Sequence, residues 1–399
     1  MRSASSLVEV PTLSEAAWRR GRDAMLCAAT AGWALALLGF AGDPRRVVFS
    51  YLVAFLFVAS LGLGALFFVM VQHLSGAVWS VSLRRVAENL TGALPAAALL
   101  FVPVALNLHQ LYEWSHPEVV ATDPVLQGKR AYLNVPFFLV RAFTILLLWA
   151  VLSRLLRSWS LAQDRGPGFA QPRSAARLSA AGMVLTVLTA TVAAFDWIMS
   201  LEPHWYSTVF GVYFYAGAAV ASLAALVTIL LALRRGGLLV TEVGVEHFHD
   251  LGKWLFGLIV FWAYIAFSQY MLIWYANLPE ETAWFRTRAQ GGWLPWAALL
   301  ALGHFVAPFF ALISRAAKRN LRWLGLVSAW VLAMHYLDLY WQVMPVIHRT
   351  GPQWHWVDAA ALAAVVSTAG LLVWRYFRHQ ALIPVGDPRL PRSLEFHNV

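Results

Sequence analysis

The residues of this chain that could do chemistry fall into two sets, and both are embedded in stretches that are otherwise apolar. The first set is Tyr264, Ser268 and Gln269, then His304, then His335, Tyr336 and Asp338. Tyr264 and Ser268 are four residues apart and His335 and Asp338 three apart, so on helices each pair shares a face. Phenol, hydroxyl, imidazole and carboxylate groups gathered at one depth are what a buried proton relay needs. The same side chains could instead form a satisfied polar core that binds helices together, and His304 with His335 could be the axial ligands of a b-type haem. Only one such histidine pair exists, and Asp338 beside it is not a haem feature, so the relay is the preferred reading.

The second set is Asn107, His109, Arg141 and Asp196. An imidazole, a guanidinium and a carboxylate at one depth could pair with one another. They could also hold a quinol headgroup, donating to its carbonyl and accepting its hydroxyl proton. His109, Arg141 and Asp196 are therefore the quinone-binding candidates, and Tyr264, Ser268, His304, His335 and Asp338 the proton-relay candidates. Gln72, His73 and the run Glu242, Glu246, His247, His249, Asp250 and Lys253 could feed protons from one side, or could simply be solvated helix ends.

The elements that must position these residues are set by composition. Of 399 residues, 60% are hydrophobic and 13% charged, with 20 Trp and a mean hydropathy of +0.62. Soluble domains carry roughly 25% charged residues, so the chain reads as an all-α, polytopic membrane protein. Ten apolar stretches are long enough to cross a bilayer: about 24–41, 48–71, 92–109, 137–157, 178–200, 209–233, 254–276, 293–314, 322–344 and 357–377. At about 1.5 Å per residue, the first chemical set lies well inside the seventh to ninth stretches and the second near one end of the third to fifth.

An even number of spans puts both ends of the chain on one side. Of the 30 Lys and Arg residues, 22 fall on that side, among them Arg2, Arg84 and Arg85, so the positive-inside rule places both termini in the cytoplasm. The formal charge of +10 comes in short clusters between apolar runs and not as one stripe, so it reports topology and not nucleic-acid binding. Residues 110–136 and 277–292, expected outside, are rich in acidic and aromatic residues and are the expected docking surfaces. The turn Gln163-Asp164-Arg165-Gly166-Pro167-Gly168 is the clearest linker. No cleavage site follows a short apolar core near the start, so no removed leader is expected.

Cys27 is the only cysteine, which excludes a disulfide framework and any cysteine-ligated zinc or iron–sulfur site within this chain. No phosphate-binding glycine loop, nucleophile elbow or zinc spacing is present. Paired, broken helices of the kind used by secondary transporters do not stand out. A transporter and a purely structural membrane anchor remain the alternatives from other classes.

Two stretches carry a family resemblance. They are Phe195-Asp196-Trp197-Ile198-Met199-Ser200-Leu201-Glu202-Pro203-His204-Trp205-Tyr206-Ser207-Thr208, continuing to Gly217, and His249-Asp250-Leu251-Gly252-Lys253 running on to Asn277. With the tail from Asp387 to Asn398, they resemble the second, shorter NrfD-like (polysulfide-reductase-type) membrane subunit of alternative complex III, a quinol:cytochrome c oxidoreductase. The resemblance extends over essentially the whole length. It implies a bacterial inner (cytoplasmic) membrane protein with two four-helix bundles, at about 48–200 and 209–344, and flanking helices at about 24–41 and 357–377. It further implies an iron–sulfur subunit, a larger NrfD-like subunit and haem c subunits as partners, with electrons passing to cytochrome c or a terminal oxidase. Haem c and iron–sulfur clusters would then belong to the partners and none to this chain. Menaquinol or ubiquinol would be the donor, with the larger NrfD-like subunit the better candidate for its pocket, and lipid would surround the spans.

The topology has a direct test. A cysteine placed at Thr208, with Cys27 replaced by Ser, is expected to react with a membrane-impermeant maleimide in intact cells. Labelling confined to inverted vesicles would reverse the map.

Overall fold

The computed structural model describes residues 11–166 and 172–397. Arg2, Pro167, Gly168 and Asn398, which entered the readings above, lie outside the described residues. Within them the chain is 80% helical with no strand. In a bilayer, backbone polar groups must bond within their own segment, which only helices and closed barrels achieve. The protein is an all-α, multi-pass integral membrane protein.

The long helices are α1 (Glu15–Gly42), α2 (Pro44–Leu74), α3 (Val81–Leu106, with two short breaks), α4 (Val135–Gln163), α5 (Pro172–Trp197), α6 (Phe210–Arg235), α7 (Val245–Ala276), α8 (Trp293–Leu312), α9 (Leu321–Val343) and α10 (Trp356–Trp374). Nine are long and apolar enough to cross a bilayer among the described residues. The tenth, α9, has 23 residues, enough for a span. Its buried Ser328, His335, Asp338 and Gln342 make it less apolar than the others.

Local chemistry sets the helix ends. Asp43 alone joins α1 to α2: its carboxylate accepts from the Arg46 amide at 3.0 Å, and Pro44 follows at a position that needs no amide donor. Asn134 caps α4 by accepting from the Phe137 amide at 3.0 Å. Asn277 closes α7 in the left-handed conformation, φ 49°, one of the few residue types that tolerates it.

The third span begins earlier than its hydropathy suggests. Arg84 and Arg85, counted above as loop residues, lie inside α3 and are buried. Three charges in five residues lower the local hydropathy, but the structure answers each of them. Arg84 reaches Glu88 at 3.0 Å and Asp387 at 2.8 Å, and Arg85 reaches Glu88 at 3.2 Å and Asp164 at 2.9 Å. Asp387 belongs to the tail after α10, which folds back under the helices. Burial pushes its carboxyl up, but hydrogen bonds from Arg389 and Arg84 outweigh that and hold it well below the usual carboxylate range.

Helices α2 and α6 stand at the centre, each with 83% of its most apolar window buried, against 28% for α7 and for α8. Around them α2 meets α3, α5 and α10, while α6 meets α5, α7 and α9. The flanking helices α1 and α10 run antiparallel. The Trp18 indole donates to the Trp374 carbonyl at 3.2 Å, and the Trp374 indole to the Trp18 carbonyl at 2.9 Å. The start of α1 and the end of α10 therefore lie on one face, here the terminal face.

At the central crossing a Cβ on Gly64 of α2 would overlap the Ala218 carbonyl of α6. Small residues let membrane helices approach this closely. Gly64→Ala is expected to cost about 1–3 kcal/mol, because neither backbone can yield without repacking, and to lower the thermal midpoint in detergent. Gly257→Ala on α7, where a Cβ meets open space, should leave the midpoint unchanged or slightly raised.

Candidate functional site

The deep set converges on a point between α6, α7, α8 and α9. His304 is fully buried, its ring 4.0 Å from Trp262 and 6.4 Å from His335 between centroids. It sits in a π-helical turn, Ala301–Val306. Pro308, lacking an N–H, cannot donate back into that turn, so the ladder widens. The Ala307 amide reaches past to Leu302, and the freed Gly303 carbonyl accepts from the Trp330 indole at 2.7 Å. His335 is held at Nε2 by the Ser60 hydroxyl, 2.9 Å away on α2. The Tyr213 hydroxyl of α6 donates to Asp338. The Trp262 indole N–H lies beside the same carboxylate without closing a hydrogen bond of good geometry.

Both nitrogens of His304 and Nδ1 of His335 have no hydrogen-bond partner among the described residues. Buried polar atoms are nearly always satisfied, and each exception points to strain, solvent or function. The other two expected members stand apart from this centre. Tyr264 is 64% exposed and turns outward from α7, while Ser268, one turn on, is half-buried. Trp262 lies over the His304 ring, and the Ser60 hydroxyl holds Nε2 of His335, so a ligand bound through that nitrogen would have to displace Ser60.

The centre continues toward the face opposite the termini. One turn beyond Asp338 on α9, the carbonyl of Gln342 accepts from Arg288 at 2.7 Å, and the Trp341 carbonyl does so at 3.2 Å. Arg288 is buried and lies over Trp284, with its guanidinium carbon 3.7 Å from the ring centroid. It also pairs with Glu202 at 2.7 Å, whose side chain is 26% exposed. Glu202, Arg288, Asp338 with Tyr213, His304 and His335 thus form a polar line from that surface into the protein. In the other direction the line stops at Ser60. Twelve residues of α2, roughly 18 Å, separate Ser60 from Gln72, and Leu63, Leu66 and Met70 between them are buried.

The central turn holds this region together. Trp205 stacks on Trp284, 4.6 Å between centroids, and donates to the Glu281 carbonyl at 2.9 Å. His204 meets Asp123 at 2.7 Å, and Lys129 donates to the Pro203 carbonyl at 2.5 Å. Residues from three connecting segments are thereby tied to one another.

The outer set separates. Arg141 grips Asp196 with two parallel hydrogen bonds, 2.8 and 3.0 Å, and its third nitrogen donates to the Tyr132 carbonyl at 2.9 Å. His109 lies apart on an exposed helical turn, accepting or donating at 3.1 Å with Ser115, its ring tilted against that of His116 at 5.1 Å between centroids. Asn107 donates to the Pro103 carbonyl at 2.9 Å. Of the two readings left open above, the geometry forms the pairing of Arg141 with Asp196, and a quinone headgroup there would compete with a closed bidentate bond.

Sequence reasoning missed Ser60, Tyr213, Trp262 and Arg288. Tyr213 and Glu202 stood within the quoted central stretch, and the four-residue spacing of Trp284 and Arg288 marked a shared helix face. Ser60, one of several serines in apolar helices, gave no signal. The described residues contain no group of three or more His, Cys, Asp or Glu able to hold a metal ion. Compared with known proteins, the chain matches no family model and no curated protein.

Removing one partner of a buried ion pair strands the other charge, at a cost of about 3–5 kcal/mol. Arg141→Leu should accordingly lower the thermal midpoint sharply, and Arg141→Leu with Asp196→Leu should recover most of the loss. If the single and double variants melt alike, the pair does not hold α4 to α5.

Proposed function

We propose that this protein is the proton-handling membrane subunit of a respiratory quinol:cytochrome c oxidoreductase assembly of the alternative complex III type. The observation that carries the reading is the polar line from Glu202 to His335, with fully buried His304 offering two nitrogens unpartnered among the described residues, beside Trp262 and His335. Titratable groups at membrane depth are costly and are kept where a protein uses them. A relay needs such groups spaced so that each can pass a proton directly or through water.

In this reading Glu202 and Arg288 form the entrance, and Asp338 is the exchanging acid, hydrogen-bonded to Tyr213 in its ionised form. His304 and His335 take the proton onward. The apolar length of α2 beyond Ser60 closes the path toward the terminal face, so the line is a half-channel open to the outside. A closed end lets protonation of Asp338 follow charge or conformation elsewhere in the assembly without leaking protons across the membrane. Family resemblance, carried by the central stretch and by His249 to Asn277, supplies the assembly. Quinol oxidation, haem c and iron–sulfur clusters are assigned to partner subunits.

Asp338→Asn keeps the shape while removing the titration. In the intact assembly reconstituted into liposomes, it is expected to cut proton movement or turnover at least tenfold with an unchanged KM for quinol. Tyr213→Phe should give a smaller loss of the same kind. A changed KM with intact proton stoichiometry would place the quinone in this bundle, and unaltered turnover, KM and proton movement would leave the polar line with a structural role only.

A further inference from the structure

The arginines that pack inside the protein are answered there. Arg46 meets Asp358 at 2.6 Å, Arg84 and Arg85 meet Glu88, Asp387 and Asp164, Arg141 meets Asp196, and Arg288 meets Glu202. Arg154 and Arg375 break this pattern. Both are exposed, and neither guanidinium makes a hydrogen bond or ion pair with any described residue. Arg154 is also no ordinary surface residue. It lies within the membrane-spanning α4, nine residues before the helix end at Gln163, or roughly 14 Å along the axis.

The two arginines line one cleft of about 450 Å³, where α3, α4 and the end of α10 meet near the terminal face. Arg157 completes a cluster of three cations there, and among the described residues no carboxylate lines the cleft. Arg157 is held in place by neutral groups, the Asn89 side chain at 2.9 Å, Gln380 at 2.6 Å and the Tyr376 ring at 3.8 Å. Tyr376 in turn packs so tightly on Gly92 that a Cβ there would come within 2.5 Å of its ring. The other wall is apolar. Pro95 and Leu99 follow Gly92 along α3 away from the terminal face, and Leu99 is 65% exposed.

We infer that this cleft binds one anionic phospholipid, with the phosphate on Arg154 and Arg375 over Arg157 and an acyl chain along Pro95 and Leu99. Guanidinium groups bind phosphate oxygens in bidentate fashion, and basic pockets between membrane helices take acidic headgroups. The apolar wall distinguishes the ligand from a free anion. The lack of a lining carboxylate distinguishes it from a zwitterionic lipid, whose ammonium would have nothing to face. A neighbouring cleft shares Leu372 and Arg375 and is lined by Trp18, Arg22 and Arg378. There Arg22 is answered by Asp23 at 2.7 Å and Arg378 by Glu15 at 3.2 Å, so the headgroup belongs to the first.

The test uses the purified full-length protein, exchanged into vesicles of equal parts phosphatidylglycerol and phosphatidylcholine, with retained lipid counted by native mass spectrometry. The parent is expected to keep one phosphatidylglycerol per chain in preference to phosphatidylcholine. Arg154→Ala with Arg375→Ala should weaken retention about twenty-five-fold, at about fivefold for each basic residue removed. Leu99→Trp, which fills the apolar wall without changing charge, should also reduce it. Arg322→Ala, an exposed arginine at the start of α9 on the same face, should leave it unchanged. Equal retention of the two lipids by the parent would overturn the inference, as would an equal loss in Arg322→Ala. Displacement of the bound lipid by millimolar inorganic phosphate would mean an anion site and not a lipid site. If the double variant does not fold, the preference of the parent and the Leu99→Trp result still decide the question.

Discussion

Inside a bilayer no water is available to satisfy a charge, so each ionised side chain carried into the membrane must find its answer within the protein or in the headgroups. That constraint shapes most of this structure. Arg46 on α2 meets Asp358 on α10, Arg141 on α4 meets Asp196 on α5, and Arg84 on α3 meets Asp387 beyond α10. Each pair joins segments distant in sequence. Apolar helices in lipid gain little by choosing one apolar neighbour over another, whereas a buried charge paired with the wrong helix costs several kcal/mol. The ion pairs therefore specify which helices meet, while close-packed small residues such as Gly64 set how near they come.

The centre around His304 departs from that economy. Its neighbours are fixed with care: Ser60 holds His335, Tyr213 holds Asp338, and the π-turn forced by Pro308 presents the His304 ring to Trp262. The imidazole nitrogens of His304 are nonetheless left without partners among the described residues. A polar core whose purpose was to bind helices together would close those bonds, as the Arg141–Asp196 pair does. The contrast between the closed Arg141–Asp196 pair and the open His304 nitrogens is the ground on which exchangeable protons are proposed for the second site. The cleft of Arg154 and Arg375 is a further departure of a different kind, because the charge there is answered from outside the chain.

The central turn at Glu202–Thr208 links these regions. Through Trp205 on Trp284 and Arg288 on Glu202, it fixes the connection between α7 and α8 against that between α5 and α6. The entrance to the polar line is thus built from connecting segments tied to one another through buried Trp205, Trp284 and Arg288 and the partly exposed Glu202.

The sequence by itself determined the helices, since twenty apolar residues in a row leave the backbone no other way to satisfy its hydrogen bonds in lipid. It also marked His304, His335 and Asp338, because titratable residues stand out against an apolar background. It misplaced the start of α3, where Arg84, Arg85 and Glu88 read as a loop until Asp164 and Asp387, far along the chain, neutralised them. It grouped Tyr264 with the deep centre and His109 with Arg141, because depth can be counted along a helix, whereas the direction a helix faces cannot when lipid and protein neighbours are equally apolar. Tertiary structure alone decided that Tyr264 turns outward, that Arg141 closes on Asp196 and leaves His109 aside, and that Ser60 and Tyr213 complete the centre. Those outcomes depend on the rotation of each helix about its axis, which is set by the few polar contacts and close crossings that only the folded bundle brings together.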